Sequence, residues 1–178
     1  DVRGKYDSDG FFFPLVNEAN DGYTTQEWCA DQDWCNGKIG TFGGSYVGAT
    51  QWLPSAKAND NLVCLFPYVA ASDYYKHWFY NSGAFALSFN TMWGIVSVSS
   101  RVGHDMEAQP LDWDDILNTL PLKDIPDRLG RKADWFGEWL SHPLYDDYWK
   151  GLAVARKYEQ IKVPAYNIGG WYDVFLEG

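Results

Sequence analysis

The sequence predicts an α/β fold: a mostly parallel sheet interrupted by an inserted helical cap. Three observations carry that prediction. Short apolar runs of strand length, Lys38–Phe42, Leu62–Phe66 and Val163–Gly170, are separated by helix signals, the order that gives parallel strands. Between Tyr74 and Ile161 strand-like alternation stops, and Trp, Tyr and Phe recur among Asp and Lys. The 178 residues fit one domain or part of a larger one, and 46% hydrophobic against 21% charged residues suits a packed core. The expected division is residues 1–73 as α/β core, 74–161 as cap, and 162–178 as the return to the core.

Each element has its own signal. Asp1-Val2-Arg3-Gly4 reads as the tail of a strand entering a turn, so a domain beginning there reads as cut. Thr24-Thr25-Gln26-Glu27 offers a capping box, which starts a helix near Thr25; Asn36-Gly37 ends it beyond Trp34. Lys38–Phe42 is a short strand, followed by Gly43-Gly44-Ser45-Tyr46 and a helix over residues 46–58 that Pro54 breaks or kinks. Leu62–Phe66 reads as a strand buried on both faces, and Val163–Gly170 as another buried strand with its Pro at the start. In the cap, Asp112–Leu117 and Asp134–Leu140 are amphipathic helix starts with acids in the first turn, and Pro121 and Pro126 punctuate a loop between them.

Composition excludes several functions. Fourteen Lys and Arg against 24 Asp and Glu leave a net charge of −10, the wrong sign for nucleic acid. No apolar run reaches the ~18 residues of a membrane span, so no membrane partner is expected. Cys29, Cys35 and Cys64 form neither a disulfide framework nor a metal-binding pair, and no histidine pair has metal spacing. No metal or other cofactor is expected. The odd cysteine count leans toward a reducing, cytoplasmic compartment, and the sequence leaves a homo-oligomer open. Aromatic residues make up 18% of the chain, enough to fill a core, line an apolar pocket or form a sugar-stacking surface.

Two places could carry chemistry. Gly43-Gly44-Ser45-Tyr46-Val47-Gly48 lies where a strand becomes a helix, the placement of a nucleophile elbow. It departs by one residue from G-x-S-x-G, and such a turn also serves to cradle phosphate or simply to reverse the chain. Gly170-Trp171-Tyr172-Asp173 follows the last strand, where functional residues of a parallel sheet gather; Asp173 reads equally as an orienting acid or as a turn residue. Ser followed by Asp fits the first two members of a hydrolase triad. His77, His104 and His142 all precede Asp173, the wrong side for the third member.

Taken together these segments resemble a known family. Asp1–Gly4 with Ser8-Asp9-Gly10, Asp21-Gly22-Tyr23, Trp28 through Gln32-Asp33-Trp34, Asn36–Gly40, Gly43–Gly48, His142–Asp146 and Gly170–Phe175 are similar, in order, to the serine α/β-hydrolases grouped with cocaine esterase, α-amino acid ester hydrolase and X-Pro dipeptidyl-peptidase. The G-x-S-Y-x-G form is that family's own variant. The resemblance implies a serine hydrolase that cleaves a small-molecule ester, amide or short peptide through an acyl-enzyme. It implies Ser45 as nucleophile, Asp173 as orienting acid and the Tyr46 backbone N–H as oxyanion donor, with the catalytic histidine beyond residue 178. It also implies Trp78 and Phe175 as acyl-pocket residues; their alternative role is core packing. Val174, Phe175 and Leu176 stand where relatives specific for α-amino groups carry carboxylates, which favours an uncharged or aromatic acyl group. The competing functional reading is a non-catalytic, aromatic-rich module that binds carbohydrate or another ligand.

Overall fold

Helix α1, Glu18–Ala30, begins before the expected capping box. The computed structural model describes residues 1–57, 59–100 and 111–178. Asn17 occupies the N-cap, and Thr24 lies inside the helix. Thr25 is tolerated there because its Oγ1 donates back to the Asp21 carbonyl at 2.7 Å, the local bond that lets a hydroxyl residue sit within a helix. The helix also ends early, at Ala30; Asn36 instead shapes the approach to the sheet, its Oδ1 accepting from Lys38 N at 3.1 Å. Asp1–Gly4 forms no strand. It turns, with Gly4 N donating to Asp9 O and Lys5 N to Val2 O.

Strand β1 runs over Ile39–Gly44, helix α2 over Tyr46–Ser55 and strand β2 over Leu62–Tyr68. Pro54 falls in the last turn of α2, so it closes the helix rather than kinking it; residue 58 lies outside the described residues. β1 and β2 are parallel, with Thr41 opposite Leu65 and Phe42 opposite Phe66. The chain returns to this sheet after residue 161. Leu65 N donates to Pro164 O, Tyr166 N to Leu65 O (both 3.0 Å) and Val69 N to Ile168 O (2.8 Å), giving parallel bridges at Ala165 and Ile168. The three expected strands are therefore parallel neighbours, in the order β1, β2, 165–168.

Burial departs from expectation. From Cys64 on, β2 is covered on one face only: Leu65 and Pro67 are buried, whereas Cys64, Phe66 and Tyr68 are exposed. Residues 164–169 are exposed throughout. The cause is the layering. Helix α2 packs across β1 and β2 on the Thr41 side, while Phe42, Phe66 and Tyr166 stand together on the other, with the Phe66 and Tyr166 ring centroids 5.3 Å apart. Phe42 is 77% exposed. An unbroken apolar run announces a strand without saying which faces are covered.

From Tyr74 to Ile161 the described residues are mainly helical. They include α3 (Leu87–Thr91), α4 (Trp113–Leu117), α5 (Ile125–Arg128), α6 (Asp134–Ser141) and α7 (Asp147–Leu152), with π-helical turns at Tyr75–Phe79 and Met92–Ser97. α4 and α6 sit where their acidic starts place them; Asp112 caps α4 by accepting from Asp115 N. Pro126 is not in a loop but in the first turn of α5, where its missing N–H costs nothing. A two-strand hairpin, β3 (Tyr80–Asn81) and β4 (Ala84–Phe85), turns at Ser82-Gly83 with both residues at positive φ. Its strands are too short to register as sequence alternation. Most rings go into one core that joins α2, the helical region and the chain end: Tyr74, Trp78, Phe79, Phe136, Trp139, Trp149 and Phe175 are all buried in it. No described helix is long and apolar enough to cross a membrane.

Candidate active site

Ser45 joins the carboxyl end of β1 to the amino end of α2 at φ 57°, ψ −127°, a conformation that is costly for a residue with a Cβ. Its N–H donates to Tyr68 O in β2 at 3.0 Å, and its carbonyl accepts from Gly48 N and Ala49 N. The side chain is exposed. Two glycines permit this turn. A Cβ on Gly43 would come within 2.5 Å of Val47 Cγ1, and one on Gly48 within 2.5 Å of Ala70 Cβ. The second contact accounts for the displaced third glycine of the motif: position 48, not 47, faces the chain leaving β2.

Tyr46 is the first residue of α2, so its N–H has no intrahelical acceptor and remains available beside Ser45. Its side chain is fully committed elsewhere. The hydroxyl accepts from Leu15 N at 2.9 Å and donates to Glu18 Oε1 at 2.7 Å, and the ring stacks on Trp93 at 5.8 Å. Burial pushes the Tyr46 phenol well above its ordinary pKa, with the Glu18 carboxylate reinforcing the shift. Burial likewise raises Glu18, opposed by the hydrogen bond from Tyr46. The Tyr46 hydroxyl is thus spent on the scaffold.

Asp173 follows the 165–168 segment, at the same carboxyl edge of the sheet that Ser45 occupies at the end of β1. Its Oδ1 accepts from Phe175 N at 2.8 Å, and its N–H donates to Gly170 O, so it also shapes the turn. Among the described residues no hydrogen bond joins Ser45 to Asp173. Trp78 and Phe175 are brought together, their centroids 4.8 Å apart, and both are buried. They touch each other rather than bordering one open space. Trp78 lines a cavity of about 220 Å³ with His77, Phe89, Val174, Leu176 and Glu177, whereas Phe175 lines another of about 300 Å³ together with Trp52 and Ile168.

The described histidines are placed elsewhere. Both ring nitrogens of His142 face carboxylates, Nδ1 to Asp146 Oδ2 at 2.6 Å and Nε2 to Glu138 Oε1 at 3.3 Å. His77 is held in the π-helical turn at Tyr75–Phe79 with Nδ1 buried and unpartnered. His104 lies outside the described residues. Among the described residues no group of three His, Cys, Asp or Glu side chains is gathered for a metal.

Sequence reasoning missed Gln51 and Glu18. Both are buried polar residues inside helices, a pattern that reads as a solvent-facing position until the packing is known.

A strained serine between a parallel strand and its following helix, with an acid past the carboxyl end of a neighbouring strand, defines the class: this is an α/β-hydrolase fold. The solved structure of an aminopeptidase from a marine sediment Thaumarchaeota archaeon has that fold, with a TM-score of 0.76 at 21% identity over 99% of this chain and 33% of its own. The chain belongs to the X-Pro dipeptidyl-peptidase (S15) family, whose model matches residues 1–178. It is 30% identical to the cocaine esterase of Rhodococcus sp. (strain MB1 Bresler), over 99% of this chain and 33% of that protein. It also resembles an α-amino acid ester hydrolase (TM-score 0.72, 25% identity, 99% of this chain and 33% of that one). A CocE/NonD family hydrolase from Staphylococcus aureus matches with a TM-score of 0.64 and 27% identity over 91% of this chain and 25% of its own. The chain thus spans about a third of the length of the cocaine esterase it matches.

Proposed function

We propose that this chain carries the nucleophile of a serine hydrolase acting on a small ester, amide or short peptide. The observation that supports it most directly is Ser45 itself: exposed, strained, and followed by the unpaired N–H of Tyr46. In this reading Ser45 Oγ attacks the carbonyl carbon while a histidine takes its proton. The tetrahedral oxyanion is met by the Tyr46 N–H, and collapse expels the alcohol or amine, which leaves with that proton. Water repeats the sequence on the acyl-enzyme to release the acid. Asp173 orients the histidine. Family chain order puts that histidine after Asp173, and its ring requires a separation of about 6–8 Å between Ser45 Oγ and the Asp173 carboxylate.

We assign residues 1–73 and 162–178 to the catalytic core and 74–161 to a cap over the sheet edge; the return of residues 164–168 to pair with β2 supports that division. Trp78 and Phe175, buried against each other and lining separate cavities, are assigned to core packing, the alternative role the sequence left open for them. Val174 and Leu176, exposed on either side of Phe175, favour an uncharged acyl group over an α-ammonium one. The test is to treat the full polypeptide containing these residues with a fluorophosphonate probe and map the adduct by mass spectrometry. The adduct is expected on Ser45 and absent from Ser45→Ala; a stable full-length protein that gains no adduct at Ser45 overturns the assignment.

A further inference from the structure

Gln51 is 2% exposed and every hydrogen-bonding position of its amide is used. Nε2 donates to Gly43 O at 2.9 Å and to Val47 O at 3.0 Å. Oε1 accepts from Phe66 N and from Thr41 Oγ1, each at 3.1 Å. The orientation is forced by chemistry: carbonyls only accept and a backbone N–H only donates, so the nitrogen must face Gly43 and Val47 and the oxygen must face Phe66.

These four partners are not scattered. Gly43 and Val47 stand two residues before and two residues after Ser45, so one NH₂ group spans the whole turn. Phe66 belongs to β2 and Thr41 to β1, which ties that bracket to the sheet. A left-handed serine persists only where its surroundings over-determine it. We infer that Gln51 is a positioning residue that holds Ser45 Oγ and the Tyr46 N–H in reactive register by bridging the Gly43 and Val47 carbonyls. The inference rests on the proposal that Ser45 is the nucleophile. It assigns Gln51 no contact with substrate.

The experiment uses the full polypeptide and the same fluorophosphonate probe, measuring the labelling rate constant and the final fraction labelled separately. Gln51→Glu keeps both acceptor bonds and loses both donors. It should slow labelling on the order of 10²-fold, the cost of a small misplacement of reacting groups, while labelling still runs to completion. Thr41→Val removes only the hydroxyl bond to Oε1 and should slow labelling about 3- to 10-fold. A residue needed merely for folding lowers the fraction labelled and leaves the rate constant of the folded molecules unchanged; that result overturns the inference, as does an unchanged rate in both variants. If Gln51→Glu fails to fold, Thr41→Val decides alone: slowed labelling at full amplitude supports the role, and wild-type labelling refutes it. An adduct on another residue in the wild-type protein refutes the Ser45 reading itself, and the inference falls with it.

Discussion

Tyr46→Phe removes one oxygen and leaves the ring, so the structure gives its consequences closely. The hydroxyl is the acceptor for Leu15 N, in a residue that is 1% exposed, and the donor to Glu18, which is 6% exposed. An orphaned buried N–H costs about 1–3 kcal/mol, and a lost bond to a charged acceptor about 1.5–3 kcal/mol. The two do not simply add, because Glu18 can limit its loss by taking a proton. A net destabilisation of about 3 kcal/mol at neutral pH is expected. Its pH dependence has a defined sign. Burial holds the folded-state pKa of Glu18 above its ordinary value, so its favourable contribution is present on the acid side and is lost as pH rises through the folded pKa. The Tyr46 hydroxyl works against that rise; deleting it raises the Glu18 pKa further and widens the window in which ionisation costs stability. The penalty should therefore be smaller near pH ~4 than near pH ~8. Urea midpoints followed by tryptophan fluorescence measure both values. A loss below about 1 kcal/mol at the higher pH, or an equal loss at both, refutes the account of a buried carboxylate leaning on this hydroxyl.

Two further outcomes follow from the geometry. Gly48→Ala lies in helix α2, where propensity alone would stabilise by about 1 kcal/mol, but its methyl would stand 2.5 Å from Ala70 Cβ. Overpacking of about 1–3 kcal/mol should win, so the urea midpoint falls; a rise would show that the turn yields easily. His142, held by Asp146 first and Glu138 second, should titrate above its ordinary pKa in an NMR titration, and Asp146→Asn should bring it down. Any stability it lends is full below the unfolded-state pKa and is lost as pH rises through the folded one; an unchanged His142 titration in Asp146→Asn excludes the pairing.

The order of the sheet is legible in the sequence because its parallel strands are short apolar runs separated by helix signals, and Ser45 is legible because only small neighbours allow its turn. What the sequence conceals is coverage. Phe66 and Tyr166 have the composition of interior residues, yet the sheet face they share stands open while α2 shields the other. Helix starts mislead for a related reason. Thr24-Thr25-Gln26-Glu27 satisfies a local capping rule, but Glu18 is drawn into α1 by the Tyr46 hydroxyl across 28 residues, and that tertiary bond fixes where the helix begins. The aromatic excess has the opposite outcome: a ring-rich segment compatible with a sugar-binding surface packs most of its rings against one another around Trp78 and Trp139.

Holding Ser45 in a left-handed conformation costs of order 1–3 kcal/mol. Of the four hydrogen bonds Gln51 makes, the two to the Gly43 and Val47 carbonyls act on this turn; at about 0.5–1.5 kcal/mol each they contribute roughly 1–3 kcal/mol. The two magnitudes match, and they act on the same peptide groups: the carbonyls that Gln51 grips flank the strained residue symmetrically. No sequence motif centred on the serine conveys this, because the glycines only permit the turn. They remove the clashes that would forbid it and contribute nothing that would choose it over a relaxed one. Choice comes from a buried amide whose donors and acceptors are satisfied only when the chain at Ser45 is bent. On this argument the polar interior of α2 is as much a part of the nucleophile turn as Gly43 and Gly48.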